Sequence, residues 1–158
     1  MTVTFPETTP HHYLTGKTAL NIPFESEGGG DWHFREAFFG RGDRLPIFFL
    51  AGEGEELNTN TIFQDFGIFE RSEVLRNKGV PLPNSLPVYT ANHYRAVLDM
   101  LYRWISDNQY PAHLEIDAWF DTPEQIAYLM EKTKALYPFL TPTQQTLLTR
   151  WIESNTPR

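Results

Sequence analysis

Two tetrapeptides, Thr122-Pro123-Glu124-Gln125 and Thr141-Pro142-Thr143-Gln144, constrain this chain more than anything else in it. Each puts Thr where its hydroxyl can accept an early backbone N–H and Pro at the first helical position, where a missing N–H costs nothing. Gln follows at the third, within reach of the Thr backbone. Helical stripes then run through 126, 129, 130, 133 and 136, and through 147, 148, 151 and 152. A third helix is expected over residues 91–106, with apolar side chains at 94, 97, 98, 101, 102 and 105, widened by Met100 and Trp104. So broad a stripe places that helix at the centre of a core.

The first half reads as shorter pieces. Residues 18–22 alternate Ala, Leu and Ile with Thr and Asn, which predicts a strand entered by a turn at Gly16 and ended by Pro23. Asp31 is placed to cap a short helix over residues 32–39, stopped by Gly40-Arg41-Gly42-Asp43. The apolar run 45–50, with Pro46 at its start, predicts a buried strand, and the acidic loop 52–56 follows. Aromatics at 63, 66 and 69 fit one helical face as well as a strand broken at Gly67. Residues 72–78 predict a short helix with Gly79 as its stop, and Pro81, Pro83 and Pro87 make the next stretch a connector. The fold class is α+β: a small N-terminal sheet packed against a C-terminal group of three helices. Residues 1–10 are expected to be loose and 11–158 to form a single domain.

A chain of 158 residues with 41% hydrophobic and 15% aromatic side chains can bury a core unaided. It has no cysteine, which removes thiol catalysis, disulfides and zinc ribbons. No apolar run approaches the roughly 18–20 residues of a membrane span, and residues 1–10 lack the pattern of a signal peptide. The expectation is a cytoplasmic protein with no membrane contact. The net charge is −7, with seven basic and twelve acidic residues in 1–90 against six and eight in 91–158. That balance makes nucleic acid an unlikely partner, and an acidic half suits a basic one.

The densest chemistry lies in Glu25-Ser26-Glu27-Gly28-Gly29-Gly30-Asp31-Trp32-His33-Phe34-Arg35. Three glycines before a helix could converge N–H groups on a phosphate, but Glu25, Glu27 and Asp31 would repel it, and no nucleotide fingerprint is present. Asp31 and His33 could serve a divalent metal or acid–base chemistry, with Glu36, Asp65, His93 and Asp99 as distant partners. Only two ligands are close in sequence, however, where a metal needs three or four. The plainer reading makes Asp31 a helix cap, His33 a polar contact and His93 a solvent-facing residue at the edge of its helix. Trp32 and Phe34 flank the polar pair beside a glycine hinge, and with Arg35 they suit an anchor for another protein. Asp65-Phe66-Gly67 and Arg41-Gly42-Asp43 copy kinase and adhesion signatures without the context either needs.

The run Leu14-Thr15-Gly16-Lys17-Thr18-Ala19-Leu20-Asn21-Ile22, followed by Gly30-Asp31-Trp32-His33, resembles small bacterial proteins encoded beside nucleotidyltransferase-like toxins, in toxin–antitoxin or phage-defence loci. The resemblance covers about the first quarter of the chain and carries no catalytic residues. It implies a companion that binds and restrains a toxin. The expected function is therefore a non-enzymatic, antitoxin-like module without a cofactor, contacting its partner through an acidic and aromatic surface that includes Asp31, Trp32, His33 and Arg35. The alternative is a metal-dependent hydrolase or phosphoesterase using Asp31 and His33. A DNA-binding autoregulator would use Arg71, Arg76 and Lys78.

Overall fold

A computed structural model describes residues 5–23, 33–82 and 86–157. The fold is α+β, with a small four-stranded sheet and seven α-helices among the described residues. Strands β1 (His12–Leu14), β2 (Leu50–Gly52), β3 (Ile68–Glu70) and β4 (Tyr89–Ala91) lie in the order β2-β1-β4-β3. β1 is antiparallel to β2, with Tyr13 opposite Ala51, and parallel to β4, where Leu14 faces Thr90. β3 and β4 form the remaining antiparallel pair.

Alternation along these strands divides the core in two. Tyr13, Ala51 and Ala91 join the larger cluster, against helix α5 (His93–Ser106) and the helices that follow. Leu14 and Val88 join the smaller, with Phe38 and Leu75 from the short helices α2 (Phe34–Phe39) and α4 (Ser72–Asn77). α5 is as central as its stripe predicts: Ala96, Val97, Leu98, Leu101 and Ile105 are all fully buried. Helices α6 (Pro123–Thr133) and α7 (Pro142–Asn155) begin with complete capping boxes at Thr122/Gln125 and Thr141/Gln144. A 3₁₀ turn, Lys134–Phe139, links them.

The first half departs from expectation in three places. Residues 18–22 are not a strand. Helix α1 (Gly16–Leu20) takes 18–20 and a turn follows at 21–22; the helix packs on α5, and the strand lies earlier, at 12–14. Five alternating residues also fit a single helical turn, and burial of Ala19, Leu20 and Ile22 against the core selects it. The helix expected over 32–39 starts at Phe34, with His33 at its N-cap and no side-chain cap bond. Asp31, the expected cap, and Trp32 lie outside the described residues. Gly40 ends this helix at φ 82°, and a Cβ there would sit 2.0 Å from the Arg44 carbonyl oxygen, so glycine is required.

The third departure is the run 45–50. Only Leu50 belongs to a strand, and Leu45, Ile47 and Phe49 are exposed. Phe48 turns inward, 6.1 Å from the Phe38 ring. The ambiguous stretch 60–69 resolves into both options, with helix α3 (Asn60–Phe63) and β3 on either side of Gly67. Within the stretch read as loose, Thr8 is buried, its hydroxyl accepts from Tyr89 N at 2.8 Å, and Phe5 packs 4.8 Å from the Phe48 ring.

Candidate functional site

The densest polar cluster among the described residues is built around two side chains of α5. Arg95 and Asp99 are one turn apart, both with no exposed surface, and their Nε–Oδ1 separation is 3.3 Å. One Asp99 oxygen accepts from Tyr13 Oη and Thr15 Oγ1, each at 2.7 Å. The other accepts from Thr59 Oγ1 at 2.5 Å and from Arg95. Arg95 Nη1 donates to the carbonyls of Gln64 and Phe66 at 2.9 and 2.7 Å, and Nη2 donates to Asn60 Oδ1 at 3.1 Å. The guanidinium also lies over the rings of Tyr13 and Phe63, at 5.1 and 5.5 Å.

Such a cluster can do structural work and little else. The carboxylate accepts four hydrogen bonds, so its charge is met on every side. Burial first, and then the charge of Asp99, pushes the Tyr13 phenol well above its ordinary value, so its proton stays on the phenol and points at the carboxylate. β1, the 59–66 segment and α5 meet at this hub. Gly67 closes it: its φ is 75°, and a Cβ would come within 2.7 Å of Asn92 Oδ1 and 2.8 Å of Arg95 Cβ. Asn92 caps α5 by accepting from Arg95 N at 2.8 Å. The pairing of Arg95 and Asp99 is the part that sequence could have shown, as an i, i+4 ion pair inside an apolar stripe. Tyr13, Thr15 and Thr59 come from separate segments and carry no local signal.

His93 is not solvent-facing. It is fully buried, and its Nε2 donates to the Ile22 carbonyl at 2.8 Å. Burial pulls its imidazole below the ordinary value, and hydrogen bonds with the backbone of Ile22 and Trp119 pull the other way.

Of the residues expected to form a site, His33 and Arg35 are described. His33 is open to solvent, its backbone N donates to Asn21 Oδ1 at 3.1 Å, and its nearest recorded acid is Glu36 at 3.9 Å. Arg35 is exposed beside Phe39, 6.0 Å from that ring. Lys78 lies 4.8 Å over the ring of Phe34. His33 is therefore not brought to His93, which faces the core, nor to Asp99, which is enclosed by the hub. Asp65 is exposed in the turn before Gly67. Among the described residues no three His, Asp or Glu side chains converge as metal ligands would. Of the basic residues on and beside α4, Arg71 Nη2 donates to the Pro23 carbonyl at 3.3 Å, and Lys78 lies over the Phe34 ring.

An open cavity of about 520 Å³ lies far along the chain, lined by Tyr110, Glu115, Asp117, Trp151, Ser154 and Thr156. It holds two carboxylates, Glu115 and Asp117, and no histidine. No helix among the described residues is long and apolar enough to cross a membrane. No protein-family model matches the chain, and neither does any curated protein or solved structure. The functional reading therefore rests on the residues and their geometry.

Proposed function

We propose that the protein is a non-enzymatic binding module of the antitoxin type, which holds and restrains a partner protein at the outer face of α2. The observation that supports this reading is the pairing of Arg35 with the exposed ring of Phe39, beside Lys78 on Phe34. Arginine and aromatic side chains presented together are the usual anchors of protein interfaces, because they bury much area while satisfying charge. Charged groups on and around this helix are of both signs, with Arg35 and Lys78 against Glu36, so the partner surface it suits is mixed rather than simply basic. On the sequence reading the proposed contact also takes in Asp31, Trp32 and His33.

Co-expression with the product of the adjacent gene, followed by size exclusion, tests the reading. Co-elution is expected, and the double substitution Arg35→Glu with Phe39→Ala should abolish it. Failure of the unsubstituted protein to co-elute with a neighbouring gene product would sink the proposal. The metal-dependent alternative has no specific observation in its favour, since His33 has only Glu36 near it among the described residues.

A further inference from the structure

The edge of the sheet has a self-complementary pattern. From the geometry we infer that two copies of this chain pair antiparallel along β2 and the residues before it, forming a symmetric dimer with a continuous sheet.

β2 has β1 on one side and, among the described residues, no strand on the other. The chain reaches it through residues 45–49, which belong to no helix, turn or ladder. Their inner side is used at Phe49, whose carbonyl accepts from Thr15 N at 2.8 Å and whose N–H donates to Thr18 Oγ1 at 2.9 Å. Ala51 faces Tyr13 across the ladder, and Glu53 N donates to the His11 carbonyl at 2.7 Å. Backbone groups alternate along a strand, so those of Phe48 and Leu50 point to the open side. Pro46 has no N–H to offer, and the Gly52 N–H closes its own turn on Leu57 at 2.9 Å. The open window is thus short, with two outward donors at 48 and 50.

Side chains in this window are apolar where an edge strand ordinarily carries charge. Ile47 is 74% exposed, and Leu45 and Phe49, two residues to either side of it, are 48% and 44% exposed. Charge instead flanks the window, with opposite sign at its two ends. Arg41 and Arg44 are held together by a backbone bridge at the entry, with Asp43 between them. Glu53, Glu55 and Glu56 follow at the exit, where Glu55 also meets His12 at 2.9 Å.

A segment that is basic, then apolar, then acidic is complementary to itself when turned antiparallel. This is the requirement of a two-fold interface, and a foreign strand would meet it only by chance. The register follows from the donors. Phe48 opposite Leu50 of the second copy uses both outward N–H groups of each chain. It sets Phe49 against its own symmetry mate. It also carries the Arg41–Arg44 turn of each copy toward the acidic loop at 53–56 of the other.

Analytical ultracentrifugation of the full chain alone tests the inference, independently of any partner at α2. The expected result is a reversible dimer in the micromolar range. Arg44→Glu should weaken it about tenfold, because two symmetry-related ion pairs become repulsions. Arg44→Glu combined with Glu53→Arg should restore it. Phe49→Cys, in a chain with no other cysteine, should oxidise to a disulfide-linked dimer, since residues paired in this way lie about 4.5 Å apart between Cα atoms. Thr143→Cys, exposed at the start of α7, should not. Thermal melts of each variant show that the fold persists. A monomer throughout the micromolar range overturns the proposal. So does a dimer indifferent to the charge swap and uncrosslinked at 49, because its interface then lies elsewhere.

Discussion

Two regions of this molecule invert the usual arrangement of polar and apolar groups. At the hub, an arginine and an aspartate are enclosed with Tyr13, Thr15 and Thr59 and have no contact with solvent. Along residues 45–49, Leu, Ile and Phe stand in solvent. Exposed apolar residues are common singly; three within the five residues that lead into an edge strand are not, because such an edge invites pairing. The buried charges need no outside group, since every hydrogen-bonding position of the carboxylate is taken within the chain. Residues 45–49 and β2 meet no further strand on their outer side among the described residues. Polarity alone identifies neither a structural nor a functional site; whether its bonding is closed does.

The sharpest way to break this comparison is to open the hub. Asp99→Ala would leave the Arg95 guanidinium and three hydroxyl groups without their common acceptor in a buried site. A loss of about 3–5 kcal/mol is expected, the range for a buried pair stripped of one member. Urea denaturation followed by circular dichroism measures it. A loss near that of a surface substitution would show that water reaches the cluster, and the contrast with the edge would fail. Replacing Arg95 and Asp99 together with Met and Leu should not rescue stability, because Tyr13, Thr15 and Thr59 would still be buried without their acceptor.

Gly67→Ala probes the same hub from its backbone side. The φ of 75° disfavours any side chain, and the new methyl would press on Asn92 Oδ1 and Arg95 Cβ. The expected cost is about 2–3 kcal/mol, mostly backbone strain with a weakened cap on α5. Measured against Asp99→Ala in a double-mutant cycle, the two should be non-additive, since both act on Arg95.

The hub and the C-terminal helices also differ in how far the sequence announces them. Caps at Thr122 and Thr141 and the stripe of α5 are local patterns, repeated over many residues, and the structure follows them. The strands are three residues long, too short for period-two alternation to outweigh a competing helix, and 18–20 went to α1 for that reason. The run 45–50 looked buried because its composition is that of a core strand. Burial depends on a neighbour, and composition does not reveal whether the sheet supplies one. Within the stretch 25–35, chemical density pointed to a site; His33 and Arg35 are exposed, and 25–32 lie outside the described residues. Of the hub, only Asp99 stood among the expected site residues, since its other members arrive from positions 13, 15, 59 and 95.

His93 offers a smaller, pH-resolved test of the buried polar region. Its imidazole is held below the ordinary value by burial. The unfolded chain therefore takes up a proton near about pH 6.5, before the folded chain does. Stability from the neutral ring is complete above that value and is lost as pH falls through the lower folded one. Denaturation midpoints between about pH 7.5 and about pH 5 should fall in the wild type and fall less in His93→Gln, which keeps a donor for the Ile22 carbonyl. Identical slopes would mean that the ring is reached by water and titrates alike in both states.

The smallest stability effect belongs to the exposed strand. Ile47→Lys places an ammonium where a side chain is already three-quarters in solvent. No desolvation follows, and little packing is lost. The monomer's stability, measured at concentrations low enough to dissociate any dimer, should change by less than about 0.5 kcal/mol. At higher concentration the same substitution should lower the melting temperature relative to wild type, because a charge in the window blocks strand pairing and removes the stabilisation that association confers. A loss at low concentration as large as that of Asp99→Ala would show that Ile47 belongs to the core of the single chain. The edge would then be closed within the molecule, as the hub is.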